Sequence, residues 1–390
     1  MSDLIPYPVS VYRGGTSKGL IFNAKDLPSS PDERDKTILA AYGSPDARQI
    51  DGMGGADSLT SKMGIIAKSE RPDADIDYTF GQVSLYNAKV DYTGTCGNIA
   101  SAVGPYAIDK GMIPAVEPVT NVRIYNTNTK KIIVAEIPVE DGYPKSDGTF
   151  SIDGVPGTGA RITLNFLDSA GSVTGKLLPT GKVRETVDTP FGSFEISFVD
   201  SANPVVFVKA SELGLTGTEL PDALNANPTL LKTLEYIRGT YAVKIGLCDS
   251  PELASAKSPA VPKVCFVSPS QTYTDSTGRT VRQEDIDIVG RLMSMQKPHK
   301  AYAVSGAICT GTAAKIPGSI VWDMLSEKAK EMSRVRIGHP GGILEVEVDI
   351  ENTGDSIVLH KAALARTARK LMDGTVYVSS QKVKSLLLEK

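Results

Sequence analysis

Two residues in this chain are of types, and in settings, that suit proton transfer at carbon. Cys96 stands in "VDYTGTCGNIASAVGPYAID", residues 90–109. Before it, Val90, Tyr92 and Gly94 suit a strand and its end; after it, Ile99, Ala102, Val103 and Tyr106 recur at helical spacing. The pattern predicts a helix that begins at the cysteine. The first N–H groups of a helix have no partner within it, so this place favours a thiolate and equally a ligand carboxylate. The plainer role for such a cysteine is a small buried residue in a tight turn. Lys62 closes the glycine-rich, polar "DGMGGADSLTSK" and is followed at once by Met63, Gly64, Ile65 and Ile66, which puts it at the entrance to a strand. Most lysines are solvated surface charges. Partial burial or a cationic neighbour would lower the pKa of this one until it accepts a proton from carbon; left charged, it would stabilise an enolate.

The elements that must position these residues are mostly strands. "VSVYRGG", "GLIFNA", "YTFGQVSL", "NVRIYNTN", "KIIVAEIPV", "RITLNFL", "SFEISFV" and "PVVFVKA" are short runs rich in β-branched and aromatic residues between turn-forming residues. Helical spacing is found at about 31–42, after Cys96, in "NPTLLKTLEYIRGTYAVKIG" and "EDIDIVGRLMSMQ", after Cys309, and in "KAALARTARKLM". The expected class is α+β with a β majority. "LDSAGSVTGKLLPTGKVRETVDTP" lacks apolar period and is rich in Gly, Ser, Thr and Pro, so a domain boundary is expected near residue 185, giving domains 1–185 and 186–390. The two halves also echo each other. "GTCGNIASAVGPYAI" matches "AICTGTAAKIPGSIV" in placing Gly within two residues of Cys before a run of small residues, and "GTSKGLIF" has a counterpart in "SANPVVFV". Two similar domains would then bring Cys96 and Cys309 to opposed helix N-termini lining a cleft.

Composition narrows the ligand. A formal net charge of −3 with 22% charged residues carries no basic excess of the kind nucleic-acid binding needs. No basic, apolar leader opens the sequence and no apolar run is long enough to span a bilayer, so a cytoplasmic protein is expected, without a membrane partner. Four cysteines (96, 248, 265 and 309) are too sparse for a disulfide framework, and three scattered histidines offer no ligand spacing; no metal and no cofactor are expected. No phosphate-cradling glycine motif occurs. Two helix N-termini favour anions, and the hydroxyl-rich turns "GGTSKG" and "ADSLTSK" add donors for carboxylate oxygens. The expected ligand is a small polycarboxylate.

Taken together, "YRGGTSKG", "DGMGGADSLTSK", "RPDADIDYTFGQV", "CGNIASAVGPYAID", "NTNT", "DGVPGTGA", "ICTGTAAKIPG" and "RIGHPGG" give nearly the whole chain a resemblance to the 2-methylaconitate cis-trans isomerase family, nearest to its 3-methylitaconate Δ-isomerases. The resemblance implies a diaminopimelate-epimerase-like fold: two similar domains, each a β-barrel-like sheet around a central helix, the site in the cleft between them, and the last strand able to return to the first domain. It implies a cofactor-independent isomerase of small unsaturated di- or tricarboxylates, with Lys62 and Cys96 as catalytic residues. Thr95 departs from the Asn common before the family's cysteine, and the residues after Cys309 depart from the Cys-Gly-Thr-Gly of related epimerases, which counts against a symmetric two-thiol racemase. Substrate contacts are expected from Thr16, Ser17, Gly97, Asn98, Cys309, Thr310 and Gly311, and from His299 as an imidazolium. Two alternatives remain: an amino-acid epimerase using Cys96 and Cys309, and a non-catalytic carboxylate-binding protein. A homo-oligomer is expected. His339 is expected in a turn, and Cys248, Cys265 and Trp322 in packing.

Overall fold

A computed structural model describes residues 3–167, 169–353 and 357–388. Its contacts divide the chain into two units: Met1–Ser151 with Gly157–Leu164 and Arg366–Lys390, and Ile152–Pro156 with Asn165–Ala365. Among the described residues, no helix is long and apolar enough to cross a membrane.

In the first unit β1 (Leu4–Gly14) turns back antiparallel into β2 (Ser17–Asn23), which lies parallel to β3 (Lys62–Lys68), itself antiparallel to β4 (Ile76–Val83). The strand Val119–Asn126 runs parallel to β4 and antiparallel to Lys131–Glu140. Each parallel step needs a crossover, and a helix supplies each. α1 (Pro31–Tyr42) opens with Pro31 behind Ser30, has Asp32 and Glu33 in its first turn, and ends on Gly43 at φ 74°. α2 (Gly97–Asp109) is buried from Gly97 through Ile108 and touches strands on all sides, as a helix with small and apolar residues all round must. It fits because its residues are small: a Cβ on Gly104 would stand 2.7 Å from the Ile137 side chain. Strand Ala368–Ser379, from the end of the chain, pairs antiparallel with β1.

The second unit repeats this ladder strand for strand. Gly192–Ser201 is antiparallel to Asn203–Lys209, which is parallel to Lys263–Pro269; that strand is antiparallel to Ile288–Ser294, which is parallel to Arg334–His339, antiparallel in turn to Gly342–Asn352. The crossovers again carry a helix, Pro228–Lys244 and then the buried Val304–Ala313. Residues 169–177, whose composition reads as linker, are folded around the buried Asp200 carboxylate. It accepts from Ser172 Oγ at 2.6 Å, Val173 N at 2.9 Å and Thr174 N at 2.7 Å.

Three expected helices differ. "IVGRLMS" within "EDIDIVGRLMSMQ" is a strand with every residue buried, and a strand covered on both faces loses the alternation that would reveal it. "KAALARTARKLM" is divided between the strands Ile357–Arg366 and Ala368–Ser379, where cross-strand pairing overrides the helix propensity of Ala and Leu. The helix expected after Cys309 instead begins at Val304 and contains Cys309.

Candidate active site

Lys62 is the first residue of β3 and is 7% exposed. Several features of the sequence around it exist to hold it there. Gly19 pairs with Lys62 across β2 and β3, and a Cβ at Gly19 would stand 1.9 Å from the Lys62 carbonyl oxygen, so only glycine lets the strands close. The Tyr42 hydroxyl, at the end of α1, donates to that carbonyl and accepts from Leu20 N at 2.9 Å. The loop before Lys62 is organised by buried Gln49, whose Oε1 accepts from Ala56 N at 2.9 Å and Ser61 Oγ at 2.8 Å, and whose Nε2 donates to Ser44 Oγ at 2.9 Å. The Lys62 ammonium donates to Gln82 Oε1 at 2.6 Å and lies 5.5 Å from the centre of the Phe80 ring. Burial pushes its pKa below the ordinary lysine value, against the opposing pull of Cys96 and Asp57.

Cys96 is the N-cap of α2, 8% exposed, its Sγ accepting from Ile99 N at 3.5 Å. Thus it sits where the helix begins, and the N–H groups of Gly97 and Asn98 belong to the helix's first turn. Its carbonyl accepts from the Tyr78 hydroxyl at 3.2 Å. Thr95, beside it, accepts at Oγ1 from Asn126 Nδ2 at 2.7 Å. Lys62 and Arg366 both interact electrostatically with Cys96; burial lowers the Arg366 pKa to about 10, against an opposing pull from Cys96.

The turn between β1 and β2 packs on the same helix start. A Cβ on Gly15, at φ 52°, would stand 2.0 Å from Asn98 Oδ1, which explains the paired glycines of "YRGGTS". Asn98 Nδ2 donates to Thr16 Oγ1 at 3.1 Å, and its Oδ1 accepts from Arg366 Nε at 3.1 Å. The Ser17 hydroxyl is buried and has no hydrogen-bond partner among the described residues. A buried hydroxyl left unpaired costs about 1–3 kcal/mol, and a ligand oxygen would remove that cost. Thr16, Asn98 and Arg366 are thus joined by hydrogen bonds at the start of α2, where Cys96 is the N-cap, and Lys62 and Arg366 both interact electrostatically with Cys96.

Over residues 4–379 the sequence matches the model of the family described as PrpF protein. The chain belongs to that family. It is 51% identical over 384 residues to 3-methylitaconate isomerase of Eubacterium barkeri, covering 98% of this chain and all of that one. It is 40% identical to 2-methyl-aconitate isomerase of Shewanella oneidensis, covering 94% of this chain and 95% of that one. The crystal structure of a methylitaconate Δ-isomerase superimposes with a TM-score of 0.79 at 49% identity over 98% of each chain. A hydroxyproline epimerase from Agrobacterium vitis, 12% identical, shares the fold at a TM-score of 0.59 over 98% of this chain and 96% of that one. The resemblance read from the sequence, the epimerase-like fold class and the isomerase class agree with these relatives.

Within this family frame, the residues expected from the second half differ from the sequence reading. The counterpart of Cys96, the N-cap of the central helix, is Ala303, which has no side-chain cap. Cys309 lies in mid-helix, wholly buried, its Sγ donating to the Val199 carbonyl at 3.1 Å, and burial holds its thiol well above the ordinary range. Thr310 donates back to the Gly306 carbonyl at 2.9 Å, and Gly311 packs against Val346 and Val348. Their N–H groups sit beyond the first turn and point along the helix, so the expectation of free donors there is corrected. His299 is buried and its Nδ1 accepts from Ala301 N at 3.0 Å. His339 does the same for Gly341 N at 3.1 Å, but it is the last residue of the strand Arg334–His339 and the expected turn begins only after it. Among the described residues no group of three or more His, Cys, Asp or Glu could hold a metal ion.

Sequence reasoning missed Gln82, the hydrogen-bond partner of Lys62, and Arg366, a partner of Asn98. Gln82 left one signal, a glutamine in the buried end of an apolar strand. Arg366 left none, since it stood in a segment with helical spacing.

Proposed function

We propose that this chain catalyses a cofactor-independent allylic proton shift in a small unsaturated di- or tricarboxylate, with Lys62 and Cys96 as the acid–base pair. The observation that carries the reading is a buried lysine, favoured toward its neutral form by desolvation, in electrostatic contact with a cysteine at a helix start. The substrate carboxylate is held by the Ser17 hydroxyl, the Thr16 turn and the N–H groups of Gly97 and Asn98, with the Arg366 charge close by. Neutral Lys62 takes the proton from the carbon next to the double bond. The C–H electron pair moves into the carboxylate on that same carbon, the neighbouring C=C conjugates with it, and a dienolate forms whose charge falls on donors already in place. The Cys96 thiol returns a proton to the far carbon, which moves the double bond; return to the first carbon after rotation exchanges cis and trans. The pair then holds its proton on the wrong member, and transfer from the Lys62 ammonium to the thiolate resets it.

Methylitaconate is the substrate the 51% identical relative favours. In it the proton leaves the carbon bearing the methyl group and arrives at the terminal methylene, giving an internal, fully substituted alkene. Methylaconitate, aconitate and oxalomesaconate are the competing substrates. Proton NMR of all four with the enzyme in deuterated buffer tests the reading: one substrate isomerises, with deuterium entering product and recovered substrate. Conversion without deuterium in either species rules out an exchanging base, and binding without conversion leaves a carboxylate-binding protein. The two-cysteine epimerase is disfavoured by Ala303 at the position where its second thiol would stand.

The proposal extends to a cytoplasmic homo-oligomer. It is supported by four free cysteines and by exposed Leu4, Ile5, Leu371, Met372 and Tyr377 on the paired strands β1 and Ala368–Ser379. Light scattering that returns a monomer mass refutes the oligomer.

A further inference from the structure

Gln82 reaches Lys62 because β3 and β4 pair in the register that sets Lys62 opposite Gln82. The residue is 3% exposed, and every polar atom of its side chain is engaged. Nε2 donates to the carbonyls of Ser58 at 3.2 Å and Ser61 at 3.0 Å, in the loop that delivers Lys62, and Oε1 faces the Lys62 ammonium at 2.6 Å. Those two carbonyls fix which way the amide points, because only its NH₂ group can satisfy them.

We propose that Gln82 is the positioning residue of the proton carrier: its amide oxygen aims the Lys62 nitrogen while, having no charge, it leaves Lys62 able to give up its proton. A neutral amine keeps two N–H bonds and one lone pair. With one N–H donated to Gln82, the nitrogen stays in place and the lone pair faces the substrate. A glutamate would occupy the same space and accept the same hydrogen bond, yet its charge would hold the proton on Lys62. The other groups facing the ammonium are the Phe80 ring from β4, Cys96 from the start of α2 and Asp57 from the preceding loop. Gln82 alone combines a short contact with no charge. The inference rests on the reading of Lys62 as the base.

Two substitutions and two measurements test it: the titration of Lys62 by NMR of isotopically labelled lysine in the free enzyme, and the pH dependence of kcat. Gln82→Glu moves both the titration and the rising limb of kcat upward by about one to three pH units, the range for an opposite charge at contact. Gln82→Met keeps length and removes the acceptor; the titration moves down, and the plateau of kcat falls about tenfold or more from lost aim. A Gln82→Glu enzyme with unmoved titration, or a Gln82→Met enzyme with unmoved titration and full plateau, overturns the proposal. If the glutamate variant does not fold, the methionine variant decides alone. If the titration moves while the kcat limb stays, Gln82 governs the Lys62 proton and it is the assignment of Lys62 as base that falls.

Discussion

In the first unit the central helix begins with a thiol, and the strand that follows the first crossover begins with a buried lysine whose nitrogen faces a side-chain amide. The second unit has the same ladder, the same crossovers and even a lysine, Lys263, at the same ladder position. That lysine pairs with the third residue of its parallel neighbour, as Lys62 does, and is equally buried. Its Nζ donates to the Ala260 carbonyl at 3.1 Å. At the helix start there is Ala303, and the nearest cysteine in sequence is six residues on, inside the helix. The halves also share a buried polar side chain with an atom that has no hydrogen-bond partner among the described residues, at the first residue of the second strand, Ser17 in one and Asn203 in the other. The fold thus offers each unit a helix N-terminus and a strand entrance, two places that can take an anion and a base. Only in the first does the sequence put acid–base side chains at both.

The largest test of that contrast is at Lys62. Lys62→Ala lowers turnover about a thousandfold, within the range for loss of a general base, and Lys62→Arg does nearly as badly because guanidinium keeps the charge but does not lose its proton. The sign of the pH dependence follows from burial. With neutral Lys62 as the proposed base and desolvation lowering its pKa, kcat is expected to rise with pH and reach its plateau below the ordinary lysine range. Arginine retaining a substantial share of the rate would make Lys62 a charge stabiliser and Cys96 the base.

Next comes Cys96→Ala, expected to lose at least about a hundredfold in turnover with the fold intact by circular dichroism. Near-normal turnover in the purified variant removes the thiol from the reaction and makes the two helix starts functionally alike.

The places of these two residues, a helix start and a strand entrance, were legible because their signals are local, a change of period at Cys96 and a change of polarity at Lys62, whereas their roles came from the family resemblance. The repeat was legible too, but its register was not. "TCGN" and "ICTGT" look alike in small residues, whereas topology aligns Cys96 with Ala303, six residues before Cys309. What local pattern could not show is whatever the ladder brings together. Gln82 meets Lys62 only through the pairing of β3 with β4, and Arg366 meets Asn98 from the far end of the chain. The strand "IVGRLMS" was hidden for a related reason, burial on both faces having erased its alternation.

A smaller effect is expected at Ser17. Ser17→Ala removes a donor to a charged ligand oxygen, so kcat/KM falls about tenfold, mostly through KM. Stability, measured by denaturant midpoint, stays level or rises, because the hydroxyl has no partner among the described residues to lose. A drop in stability with unchanged KM would show that the hydroxyl serves the fold.

The smallest change in rate is expected at Cys309, where the comparison between the units is sharpest. If the helix start is what makes a cysteine useful, then a thiol in mid-helix, turned to the Val199 carbonyl and held protonated by burial, contributes packing alone. Cys309→Ala leaves turnover within about twofold and costs about 1 kcal/mol of stability, from a small cavity and one unpaired carbonyl. Cys309→Ser keeps a donor at nearly the same place and recovers part of that loss, since a hydroxyl bonds a carbonyl better than a thiol does. A hundredfold loss of turnover in Cys309→Ala, at unchanged stability, would instead place a second working thiol in the protein. The asymmetry between the units would then lie in the sequence around the cysteine and not in its use.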